Sequence, residues 1–250
     1  MEVHHHAHTS RKKWTDYLWE FLMLFFAVFC GFLAEYGLEH KIESDREQEY
    51  MASMVQDLTS DTIMLNDNLA FCSYISKGLD SLSNLLYQTD KYIENTNEIY
   101  RLNATYQRLI GVKFNTQTIT QLRNSGNMRL VKKINVSNNI ARYWIEASAL
   151  EELEIGFNDR LNSDAEYGYN IFNQSMVLRG KLDSFTSIIK MKTVANAKLM
   201  TYDKNMLINY ANRISRRSSK LSSFLLGHLI DQKTKAIDLI LQIKKEYHLN

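Results

Sequence analysis

Between Glu20 and Glu35 no residue is charged, and residues 21–34 read FLMLFFAVFCGFLA. Such a block belongs in a core or in lipid. At about 1.5 Å of rise per residue the block alone covers roughly 21 Å of helix, short of the ~30 Å hydrocarbon thickness of a bilayer. Extending it to residues 17–38 closes that gap and leaves the two glutamates near the two membrane faces, where long side chains reach polar surroundings. The expectation is a transmembrane helix over 17–38.

The flanks orient this span. Arg11, Lys12 and Lys13 precede it, whereas Glu35, Glu39, Lys41, Glu43, Asp45 and Arg46 form a mixed, acidic-leaning run after it. The excess of positive charge on the N-terminal side predicts a cytoplasmic N-terminus and an extracytoplasmic remainder, in a bacterial cell the inner membrane and the periplasm. Trp14, Tyr17, Trp19 and Tyr36 suit the interfacial aromatic belts. A cleaved signal peptide is the rival reading. It fits less well, because the run passes directly into a charged helical pattern without a clear small-x-small cleavage site.

Turning about 100° per residue, Glu20, Leu24, Ala27, Gly31, Ala34 and Glu35 fall on one side of the span, and Leu22, Phe25, Phe26, Phe29, Phe32 and Leu33 on the other. Small residues four apart let helix backbones approach in lipid. Glu20, Ala27, Gly31, Ala34 and Glu35 are therefore the expected transmembrane interface, with a second copy or another membrane protein as partner besides the lipid bilayer. The bland alternative is chance spacing with both glutamates in the headgroups.

Beyond the span the chain is ordinary for a folded protein: 45% hydrophobic and 23% charged, so wholesale disorder is not expected. A net charge of +2 argues against a dedicated nucleic-acid binder. The 250 residues contain no proline, which favours uninterrupted helices. Cys30 falls in the span and Cys72 in an apolar helical position, so the two do not read as a disulfide framework.

The first ten residues carry His4, His5, His6 and His8. A histidine tract can chelate a divalent metal, so these four are the metal-ligand candidates, against the plainer readings of a flexible tail or a tag. Residues 1–16 are expected to be a flexible cytoplasmic tail. No cofactor is implied.

Residues 39–250 read as one extracytoplasmic helical domain. Leu58, Leu65, Cys72, Leu79 and Leu86 recur every seven residues, with Met51, Met54, Val55, Thr62, Leu69, Ile75 and Leu82 beside them. Gly78 is a place for this long helix to break or bend. A shorter helix is expected over 91–110. Asn115 or Thr116 then caps a helix carrying Ile119 and Leu122, and Gly126 suits its left-handed stop. Arg123, Arg129, Lys132 and Lys133 around that stop read as charge at a helix end.

A long helix over about 137–173, capped by Ser137 or Asn138, would bury Ile140, Tyr143, Trp144, Ala147, Leu150, Leu153, Phe157 and Leu161. Residues 175–203 leave loop, short helix and a strand pair near Phe185 and Ile189 all open. A final helix over about 203–247 carries Leu207, Tyr210, Ile214, Leu221, Leu225, Ile237, Ile240 and Leu241 on its apolar stripe. Arg213, Arg216, Arg217 and Lys220 share one face of it and form a surface for an anion or for acidic residues of a neighbouring helix, with Asp61 and Asp67 the suitable partners. The fold class expected is all-α: one N-terminal transmembrane helix followed by an elongated antiparallel helical bundle.

The combination EFLMLFFAVFCGFLAE, DREQEYMASMVQDLTSD and QLRNSGNMRLV resembles an uncharacterised family of single-span envelope proteins of Bacteroidota. That resemblance implies membrane anchoring and a mostly helical domain, and no activity. From the residues themselves, no phosphate-cradling glycine loop, HExxH, CxxC or GxSxG occurs, and His228 and His248 are isolated. The expectation is a non-enzymatic interaction or sensory scaffold; the alternative is a subunit of an oligomeric channel or transport complex whose spans present Glu20 or Glu35.

Overall fold

The structure, a computed structural model, describes residues 13–181 and 189–249. Most of these residues are helical; the strands form one very short hairpin, and loops such as 107–116 and 194–203 join the elements. The helices are α1 (Trp14–Tyr87), α2 (Tyr92–Tyr106), α3 (Gln117–Asn124), α4 (Ile134–Gly168), α5 (Lys204–Lys220) and α6 (Leu226–Tyr247). The chain divides into two compact units, Met1–Tyr50 and Met51–Asn250.

In the first unit, α1 carries the charge-free block. Among the described residues it is the one helix long and apolar enough to cross a membrane, and none of its most apolar stretch is buried. Phe21, Phe25 and Phe29 stack along one side, with ring centroids 5.8–6.3 Å apart.

In the second unit, Met51, Met54, Leu58, Leu65, Cys72, Ile75, Leu79, Leu82 and Leu86 of α1 are all fully buried. The seven-residue recurrence is thus a core stripe, and each such leucine withdrawn from water stabilises the fold by about 1.5–3 kcal/mol. Burial pushes the Cys72 thiol up to about 12, leaving it an inert core residue. Gly78 does not break the helix. The Tyr106 ring lies against it so closely that an ideal Cβ there would sit 2.1 Å from the ring, so glycine is required for contact with α2 and not for a bend.

The short helix closes at Tyr106, earlier than residue 110. α3 follows as expected: the Asn115 side chain accepts from the Gln117 N–H at 3.2 Å, and Gly126 adopts φ +68° just past its end. α4 starts three residues before Ser137. Lys133 is its N-cap and contributes no side-chain bond, so neither Ser137 nor Asn138 is the cap. It ends at Gly168 instead of continuing to 173, because the chain turns there, Ile171 and Phe172 both donating to the Gly168 carbonyl, and buries those two side chains.

The irregular stretch contains a one-turn 3-10 helix at Gln174–Met176 and an antiparallel hairpin, β1 (Val177–Leu178) with β2 (Lys192–Thr193), registering Val177 opposite Thr193. Most of the stretch proposed for a strand pair near Phe185 lies outside the described residues. The last helix starts where expected, Asp203 accepting from the Met206 N–H at 2.8 Å, and ends at Tyr247. A π turn at Leu221–Leu225 interrupts it.

Cross-helix bonds fix directions within this unit. Asn139 meets Gln242, Glu146 meets Lys235 and Asp164 meets Arg213, so α4 runs antiparallel to α5 and α6. Tyr87 bonds Asn212, Ser76 bonds Ser218 and Lys233 bonds Asn66, so this part of α1 does so too. The buried stripe of α6 differs from expectation. It is Leu229, Gln232, Ala236, Leu239 and Ile243, while Ile237 and Leu241 are exposed. The 3.6-residue period extended from Leu225 lands on the first set; Ile237 and Leu241 sit roughly 120° and 160° round from it.

Candidate functional site

The basic row of α5 is split by depth. Arg217 is buried, its guanidinium donating to the Gln107 side-chain oxygen and, at 3.0 Å, to the Arg108 carbonyl. Burial pushes it down to about 10, which leaves it charged at neutral pH. Gln107 in turn donates to the Tyr210 hydroxyl at 2.9 Å, and that hydroxyl donates to Asn103 at 2.5 Å. Arg213 reaches Asp164 at 3.3 Å and lies over the Tyr167 ring, 4.7 Å from its centroid. Arg213 and Arg217 are therefore internal ties that lock α5 to α4 and to the end of α2.

The acidic partner on a neighbouring helix is Asp164, not Asp61 or Asp67. Asp61 is occupied elsewhere: it accepts from the Asn115 N–H at 2.8 Å and from the Tyr143 hydroxyl at 3.0 Å. One turn earlier, Asp57 accepts from the Thr118 N–H at 2.8 Å. Two buried carboxylates from α1 thus satisfy backbone donors at the entry to α3: Asp57 binds Thr118, one of the N–H groups a helix N-terminus leaves open, and Asp61 binds Asn115 just before the N-cap. Burial, with Asp57 and Glu151 nearby, pushes Asp61 up to about 6 against the lowering effect of its two donors.

Arg216 and Lys220 face outward, and neither has an ion-pair partner among the described residues. Lys220 leads to the feature the sequence did not disclose. With Glu152, Leu153, Gly156, Phe157, Arg160 and Phe224 it lines a groove of about 430 Å³ between α4 and the π turn. Leu153, Gly156, Phe157 and Arg160 stand three or four residues apart, so they form one face of α4. Leu153 and Phe157, expected in the core, are only half-buried.

The reason is local. Gly156 offers no side chain, and an ideal Cβ there meets nothing within 4 Å, so the groove floor is open where any other residue would project. On the opposite wall the π turn presents Phe224, whose ring packs edge-on against His228 with centroids 4.5 Å apart. π turns are uncommon and cluster at functional sites. A groove of this size with a mostly apolar lining and a few charged groups has the character of a small-molecule site. In the sequence its one signal is Gly156 in the middle of an otherwise regular apolar stripe.

Glu20, Ala27, Gly31, Ala34 and Glu35 all lie on the exposed part of α1 in the first unit, where an added Cβ at Gly31 meets nothing within 4 Å. His4, His5, His6 and His8 lie outside the described residues. Among the described residues no three histidine, cysteine, aspartate or glutamate side chains are placed to hold a metal ion. No protein family, curated protein or solved structure matches the chain.

Proposed function

We propose that this chain is a single-pass bacterial inner-membrane protein, N-terminus cytoplasmic, whose helical domain is a non-enzymatic periplasmic interaction or sensory scaffold. The observation that carries the reading is the contrast within the chain: Leu58, Leu65, Leu79, Leu82 and Leu86 of α1, with Leu207, Leu221, Leu225 and Leu229 from the end of the chain, are enclosed in a protein core, whereas the apolar block 21–34 remains uncovered. An uncovered surface of that extent calls for a covering medium, and lipid suits a charge-free helix bordered by Trp14, Trp19 and Tyr36. The basic residues ahead of the block support the orientation. The antiparallel helix pairs support a bundle domain, and resemblance to the Bacteroidota envelope family accords with both.

Membrane fractionation with protease protection tests the reading. The protein is expected to stay with membranes after an alkaline wash, and the domain after Glu39 to be digested only when protease reaches the periplasm. Release by the wash, or digestion from the cytoplasmic side alone, overturns it.

A further inference from the structure

The groove between α4 and the π turn has an apolar floor and cations without carboxylate partners, a combination that the packing of the domain does not use. Leu153, Phe157 and Phe224 supply the apolar walls, Gly156 the gap between them, and Arg160 and Lys220 the positive charge. Neither cation has an ion-pair partner among the described residues. Glu152 also lines the groove, eight residues before Arg160, which is about 12 Å away along α4. The groove is therefore polar along its length: positive toward Arg160, negative toward Glu152.

We propose that this groove binds a single-chain anionic amphiphile, its head held by Arg160 and Lys220 and its tail laid over Gly156 between Phe157, Leu153 and Phe224. The arginine fork and the lysine ammonium both suit a carboxylate head, and Glu152 repels such a head from the other end. About 430 Å³ accommodates on the order of ten methylene-sized groups at ~30 Å³ each, with room left for the head. The same volume holds only about one turn of a helix some 10 Å across. A docking peptide helix needs anchors spread over two turns or more, so a small ligand is the better fit.

The inference deepens the sensory-scaffold reading of the domain, and its test is blind to topology, so the two fail separately. Full-length protein in phosphatidylcholine nanodiscs is titrated calorimetrically with decanoate, with empty nanodiscs as reference and decanol as the uncharged analogue. Wild type is expected to take up one decanoate per chain above the reference. Gly156→Leu, which projects a side chain into open space and improves local helix propensity, is expected to abolish binding of both compounds while leaving circular dichroism and thermal unfolding unchanged. The double variant Arg160→Gln with Lys220→Gln is expected to weaken decanoate by about tenfold or more and decanol little. No uptake above empty discs overturns the proposal, as does uptake indifferent to Gly156→Leu or equal weakening of both compounds by the charge variants. A dimer that Gly156→Leu dissociates, without decanoate uptake, overturns it too by giving the groove to a second copy.

Discussion

Residues 21–34 and residues 51–86 belong to the same helix, and both are rich in large apolar side chains. Their surroundings are opposite. Phe25 is 51% exposed and Leu58 not at all, and the difference follows the pattern of hydrophobicity more than its amount. In the first region apolar residues go all round the helix, so no single partner face covers them, which is the pattern of a helix apolar enough to cross a membrane. In the second they return every three or four residues with Asp57, Asp61, Asn66 and Asp67 among them, so one side can face a core while the rest faces water. Asp57 and Asp61 show how sharply the boundary is drawn, since each is buried where a backbone N–H, of Thr118 in α3 and of Asn115 just before it, is there to bind.

The largest test of this contrast is a matched pair of truncations. Leu79→Ala removes a fully buried side chain and should destabilise the helical domain by about 2–5 kcal/mol. Phe29→Ala, in the uncovered block, should leave the unfolding of that domain unchanged. Denaturant unfolding of the full chain, followed by a signal from the domain, reads both. A comparable loss for Phe29→Ala would show that the apolar block is part of the domain core and break the comparison.

The same distinction between pattern and depth applies to charge. Arg216 and Arg217 are adjacent in sequence, yet only Arg217 is enclosed. Arg217→Met strands the Gln107 side-chain oxygen and the Arg108 carbonyl and should cost about 1.5–3 kcal/mol of unfolding free energy. Arg216→Met should fall within about 0.5 kcal/mol of wild type. Equal effects would mean that the row acts as one surface, as the sequence alone suggests.

That row shows where the sequence stops being readable. Periodicity placed the core stripe of α1, the start of the last helix at Asp203 and the left-handed Gly126, because each is decided by residues within one or two turns. The partner of Asp61 is decided elsewhere, 54 residues along the chain at Asn115, and no local rule reaches it. Leu153 and Phe157 read as core for the same reason that their neighbours do. Their half-burial depends on the π turn of a helix some 65 residues away, which leaves the groove beside Gly156 unfilled. Ile237 and Leu241 failed differently: the true stripe includes a polar residue, Gln232, which bonds the Tyr143 carbonyl, and a count of apolar residues passes over it.

A pH-dependent effect is expected from Asp61. Its carboxyl titrates near 3.8 when free and about 6 in the fold, so between those values the folded chain holds more protons than the unfolded one. The stability this group contributes is fully present below the lower value and is lost as pH rises through the upper one. Asp61→Asn keeps an acceptor for the Asn115 N–H and cannot titrate. Measured against that variant, wild-type stability should fall between about pH 4 and pH 6 and level off above. A difference that grows in favour of wild type over that interval would mean that Tyr143 and Asn115 hold the charged form more strongly than burial opposes it.

The smallest expected change in domain stability belongs to Gly31→Leu. Nothing lies within 4 Å of a Cβ added there, and leucine is the better helix former, so the unfolding free energy of the helical domain should stay within about 0.5 kcal/mol of wild type. Association in the membrane is a separate readout. If Ala27, Gly31 and Ala34 are where copies meet in lipid, Gly31→Leu holds two backbones apart and weakens the association, while Phe29→Leu on the opposite side leaves it unchanged. An in-membrane oligomerisation assay of the two variants decides this. Indifference to both removes the small-residue face as the contact, yet does not touch the proposal that the uncovered block faces lipid. A loss of domain stability in Gly31→Leu is the more damaging outcome, because it would mean that this face packs against protein within the same chain, and the contrast between the two regions of α1 would no longer hold.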